Sequence, residues 1–79
     1  MATHEIKCDP IHFANVEKGV KSFEIRKDDR GYQEGDVLHI REFDRTLQAY
    51  SGRFVARVVT YILRDDQYLQ PGYVCMAIV

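Results

Sequence analysis

Three things are scarce in this chain of 79 residues: cysteine, an unbroken apolar run, and an excess of charge of either sign. The two cysteines, Cys8 and Cys75, lie at opposite ends. They are too few for the disulfide framework of a small secreted scaffold and read as reduced packing residues. A membrane helix needs about 20 consecutive apolar residues; the longest candidate stretch, Tyr73 to Val79, falls well short. The opening Met-Ala-Thr-His-Glu-Ile-Lys has no basic start followed by an apolar block. No secretory signal is therefore read, and the expected location is the cytoplasm, with no membrane contact. Eleven Lys and Arg against twelve Asp and Glu leave a net charge of −1, which argues against the broad electrostatic grip of a strongly basic nucleic-acid-binding domain.

What is present suits one small folded domain over residues 1–79: 46% hydrophobic and 29% charged residues are the balance of a chain that buries a core. The charge is unevenly spread. Lys18 to Arg30 holds five cations against Glu24, Asp28 and Asp29, or +2, and Arg41 to Arg57 holds four arginines against Glu42 and Asp44, again +2. A local cationic patch on an otherwise acidic molecule suits a few phosphates. His4, Cys8 and His12 recur every four residues, the spacing of metal ligands on a helix, but Pro10 interrupts that helix, so no metal site is read.

Thr3 to Lys7 reads as a short strand. Asp9-Pro10 then starts a helix to Lys18, with Asp9 as the cap and Gly19 as the stop. Lys21 to Lys27 alternates as a strand, with Lys21, Phe23 and Ile25 on one face and Ser22, Glu24 and Arg26 on the other. Turn chemistry at Asp28 to Gly31 and at Gly35-Asp36 precedes a strand from Val37 to Phe43. Asp44 to Gly52 reads as a polar loop, Phe54 to Leu63 as the longest strand, Arg64 to Gly72 as a last loop and Tyr73 to Val79 as the closing strand. The order β-α-β-β-β-β lacks the alternating helices of a doubly wound sheet. The expected fold is α+β, mainly β: a small barrel of about five strands plugged by one N-terminal helix.

The run Gly19-Val20-Lys21-Ser22-Phe23-Glu24-Ile25-Arg26, followed by Lys27 to Arg30, Gly35-Asp36-Val37-Leu38, Arg41-Glu42 and Gly72-Tyr73-Val74, resembles the ASCH domain of the PUA-like superfamily. The likeness spans almost the whole chain and is strongest for a compact phage and bacterial branch of uncharacterised function. It implies a PUA-like barrel with a cleft, and RNA or a modified nucleotide as the bound partner. Some relatives of that domain are amidohydrolases that remove an acyl group from a modified cytidine with a Lys, Thr and Glu set. Lysine maps to Lys21, but Glu24 stands at the nucleophile position, and Arg64 to Gly72 is too short for the helical insertion that carries the relatives' glutamate.

The expected binding set is accordingly Lys21, Glu24, Arg26, Lys27, Arg30, Arg41, Glu42 and Tyr73. The cations hold phosphate oxygens, the carboxylates orient them or accept from a base amine, and tyrosines, among them Tyr32, Tyr50, Tyr61 and Tyr68, offer stacking surfaces. In the alternative hydrolytic reading, Lys21 with Glu24 or Glu42 forms a general acid and base pair. A third reading is a phage-type adaptor that binds a host protein through an exposed apolar patch. No cofactor is implied.

Overall fold

Alternation and turn residues partition the chain into β1 (Thr3–Cys8), α1 (Pro10–Glu17), β2 (Phe23–Lys27), β3 (Val37–Asp44), β4 (Ala49–Leu63) and β5 (Tyr73–Ile78) in the computed structural model, which describes residues 1–79. The strands form one five-stranded sheet in the order β1-β3-β4-β5-β2. β1 runs parallel to β3, and the other neighbours are antiparallel. β4 is long enough to serve two partners: its first part pairs with β3 and its last part with β5. No helix is long and apolar enough to cross a membrane.

The expected closure into a barrel is not formed. β1 and β2 are the two edges and share no ladder. Side chains span the seam instead: Arg26 donates to the carbonyl of Lys7, and Arg30 to the carbonyl of Glu5. The unpaired carbonyls of an edge strand thus meet cationic donors, which also blocks that edge against another chain.

α1 begins at Pro10, whose fixed φ and missing N–H suit a first helical position. Lys18 is the C-cap, and Gly19 at φ +79° turns the chain out of the helix. Asp9 occupies the N-cap position but makes no side-chain capping bond, contrary to expectation, because its carboxylate reaches Arg45 at 2.7 Å. The expected loop over 44–52 is mostly strand. Only Arg45 to Gln48 turn the chain, held by Asp44 Oδ1, which accepts from the Thr46 and Leu47 amides, and by Gln48 at φ +52°. Ser51-Gly52 carries turn residues yet lies within β4. Gly52 at φ +94° marks an irregularity at which Phe43 pairs with Tyr50 and Arg41 with Phe54.

Inner faces supply Ile6, Leu38, Ile40, Val59, Val74, Met76 and Ile78, against which α1 sets Phe13 and Val16. Beside this core lies a buried carboxylate. Asp36 accepts from the Ala2 amide (2.9 Å), the Gln33 amide (3.0 Å) and His4 Nε2 (2.8 Å). The Ala2 amide first and His4 second hold its pKa down at about 2. A carboxylate whose folded pKa lies below its unfolded value stabilises the fold above about pH 4, and this contribution disappears as pH falls through about 2. Asp36→Ala should therefore lower the melting temperature at pH 7 by roughly 5 °C or more. The gap from the parent should narrow steadily in melts carried down to pH 2. An equal gap at both pH values would mean that the charge of Asp36 contributes nothing.

Candidate functional site

β2 turns Glu24 inward at the seam, where it is 4% exposed. A buried carboxylate requires partners, and two cations meet it: Lys21 Nζ donates to Oε1 at 2.8 Å and Arg26 Nε to Oε2 at 2.7 Å. Strand alternation alone sets Lys21 and Arg26 on opposite faces. The strand, however, begins at Phe23, and Lys21 lies in the preceding turn, its amide donating to the carbonyl of Asn15. From there the ammonium reaches back to Glu24 and to the carbonyl of Phe23 at 2.9 Å. Gly19, at φ +79°, turns the chain ahead of the strand, and the ion triad carries one net positive charge.

The triad forms part of the wall of an open hollow of about 570 Å³ between the edges β1 and β2, the start of α1 and the β3–β4 turn. Its charged lining is four cations (Lys7, Lys21, Arg26, Arg45) against two carboxylates (Asp9, Glu24), or +2, on a chain of −1. His12 stands beside them. Lys7 pairs with no carboxylate; its Nζ lies 4.4 Å from the centre of the Phe43 ring. Arg45 is held by Asp9 and is 75% exposed, so it presents its guanidinium to solvent at the rim.

Cys8 also borders the hollow, but burial first, and the Glu24 charge second, push its thiol up to about 11. A thiol so raised carries little thiolate at neutral pH and is a poor nucleophile.

Of the eight residues expected at the site, the structure gathers Lys21, Glu24 and Arg26 in this hollow. The other five lie elsewhere. Lys27 is exposed at the end of β2 opposite a half-buried Tyr73, and Arg30 is engaged with the Glu5 carbonyl. Arg41 lies on the outer face of β3, bound to Glu5 at 3.0 Å and stacked 3.8 Å from the centre of Tyr50. Glu42 borders a second, smaller hollow and stands 3.9 Å from Arg53. The pairing of Lys21 with Glu42 that one hydrolytic reading uses is therefore absent. His4, Cys8 and His12 do not converge either, since His4 is committed to Asp36. Of the tyrosines, Tyr32 is buried in the core against His4, whereas Tyr50, Tyr61 and Tyr68 are exposed.

Sequence reasoning missed Lys7, Asp9, His12 and Arg45. The signal available was weak: a lysine closing the first strand and an arginine in a turn become neighbours only through the parallel pairing of β1 with β3.

Two comparisons bear on this geometry. A family described as a domain of unknown function, DUF3850, matches residues 3–78. An uncharacterised 12.9 kDa protein of Escherichia phage P2, from the region 3′ of GpA, is 33% identical over 67 residues. The match takes in 85% of this chain and 60% of the phage protein, so the chain spans less than two thirds of that relative's length.

Proposed function

Since the chain belongs to the DUF3850 family, which brings no activity with it, we propose from the hollow itself that the protein binds a nucleotide or short single-stranded RNA by its phosphates. The observation that carries this reading is the +2 lining with Lys7 free of any carboxylate partner. An unneutralised cation beside a guanidinium at the rim favours an anion, and a volume near 570 Å³ suits a ligand of nucleotide size. The sequence likeness to ASCH domains points to the same ligand class, and we read the wrapped open sheet as a PUA-like barrel parted at one seam. Hydrolysis has less support, because Glu24 already serves two cations and the adjoining thiol is suppressed.

A protein-binding reading has one observation behind it. Phe23 (44% exposed) and Ile25 (50%) on β2, which also border the hollow, and Tyr61 (59%) on β4 form an exposed apolar row. That apolar row suits a protein partner better than an anion.

Fluorescence anisotropy with labelled short single-stranded RNA across a salt series tests the main reading. Lys7→Ala and Arg45→Ala are the variants of choice, since neither leaves a fully buried partner unpaired. Each should weaken binding roughly three- to tenfold, and each lost phosphate contact should reduce the log–log salt slope by about 0.7. A flat titration of the parent, or parent-like binding by both variants, removes the proposal and leaves the apolar row as the better lead.

A further inference from the structure

Leading away from the hollow, the outer face of β1, β3 and the first half of β4 carries a strip in which cations and aromatic rings are interleaved. Lys7 lies over Phe43, Phe43 meets Tyr50 edge to face at 4.9 Å, and the Arg41 guanidinium rests 3.8 Å from the centre of Tyr50. Phe54, opposite Arg41 in the register, packs edge-on against His39 at 4.6 Å and is 59% exposed. We infer that this strip is a stacking track for the unpaired bases of a single-stranded nucleic acid whose phosphate occupies the hollow. The inference rests on the function proposed above and extends it from a phosphate site to a site several nucleotides long.

Three features support the assignment. The first is spacing. Tyr50 and Phe54 are four residues apart in β4, which on a regular strand is about 13 Å. The irregularity at Gly52 sets them against Phe43 and Arg41, only two residues apart in β3, or about 7 Å. Two flat groups are thereby drawn to neighbouring positions on one face.

The second feature is exposure. Phe54 (59% exposed) and Tyr50 (40% exposed) keep much of their surface in water, and they do so on one face beside Arg41. Base stacking on such rings tolerates any sequence, because every base has a π face. Arg41, backed by Tyr50 and 32% exposed, adds a guanidinium plane of the kind on which bases also stack.

The third feature is charge. Lys7 and Arg41 face a single carboxylate, Glu5, which Arg41 holds at 3.0 Å. Lysine is depleted from protein-binding faces; here Lys7 lies over the Phe43 ring with no carboxylate partner. Lys7 and Phe43 belong both to the hollow and to the strip, so the two are continuous at those residues.

The chain has no tryptophan, so Phe54→Trp introduces a single reporter into the strip. Titration with a single-stranded tetranucleotide, as RNA and as DNA, should quench its emission, while a nucleoside monophosphate, long enough only for the hollow, should bind with little quenching. Phe54→Ala and Tyr50→Ala should each weaken tetranucleotide binding about tenfold and leave monophosphate binding within twofold of the parent. Parent-like tetranucleotide affinity in both alanine variants, or indole emission that stays unquenched at saturation in the Phe54→Trp variant, overturns the track while sparing the hollow. Tetranucleotide binding that responds to Phe54→Ala but not to Arg45→Ala, with no binding of the monophosphate, upholds the track and overturns the hollow. Binding of neither ligand overturns both. Comparing the RNA and DNA arms shows which strand chemistry the site prefers.

Discussion

Glu24→Ala should cost about 3 kcal/mol of folding free energy, the lower end of the cost of breaking a buried ion pair, and it should weaken binding of the proposed ligand although it removes a negative charge from the proposed anion site. The reason is geometric. Glu24 fixes Lys21 through one oxygen and Arg26 through the other, and Arg26 in turn donates across the seam to the Lys7 carbonyl. Without the carboxylate, two cations that are only 18% and 28% exposed are left to repel each other, and the contact between β2 and β1 loses its anchor. A chain of this size has about 4–12 kcal/mol in total. The variant should therefore melt roughly 15 °C lower, and at 10 °C, where it is still folded, should bind RNA at least several-fold more weakly. Denaturant melts and anisotropy on the same preparation read both quantities. Tighter binding with unchanged stability would reduce Glu24 to a mere source of negative potential and would break the argument that it positions the cations.

Phe13→Ala should be more damaging still, at about 4 kcal/mol, as expected for emptying a fully buried aromatic site. α1 is eight residues long and sends just two side chains into the core, Phe13 and Val16, both 0% exposed. A helix this short does not persist by itself. Removing the ring should therefore release the whole segment that places Asp9 and His12 at the hollow. Amide exchange should rise first across residues 10–17, and the melting temperature should fall by roughly 20 °C. Ile11→Ala, at a position 71% exposed, should stay within about 0.5 kcal/mol of the parent. Comparable losses from both substitutions would show that helix propensity, and not packing, holds α1 in place.

The elements were legible because local chemistry and tertiary need agree in them. Asp9-Pro10 and Gly19 bracket α1, alternation marks β2 and β3, and a short apolar run marks β5. The reading failed where one residue type serves two geometries. Ser51-Gly52 looks like a turn, yet in β4 the glycine supplies the positive φ of a strand irregularity. Barrel closure also could not be read from the chain, because whether two edge strands meet in a ladder or through arginine side chains depends on their separation after folding. The ion triad was partly visible, since Lys21, Glu24 and Arg26 are close in sequence. Lys7 and Arg45 were not, because they reach the triad through contacts between distant segments. Arg41 and Glu42 illustrate the opposite error. Adjacent in sequence and similar in appearance to the triad, they point to different surroundings because neighbouring strand residues alternate.

The strand order has a kinetic consequence. Only β3 and β4 are joined by a tight turn; Thr3 must find Val37 and Phe23 must find Ala77 across long intervening chain. Distant pairings form slowly, since loop-closure entropy is lost before any contact compensates it. The hairpin is thus the natural nucleus, and the two outermost strands dock late. The hollow lies where those latecomers approach each other, so uptake of the proposed ligand should follow the last folding phase, because an unfinished chain has not yet assembled the hollow.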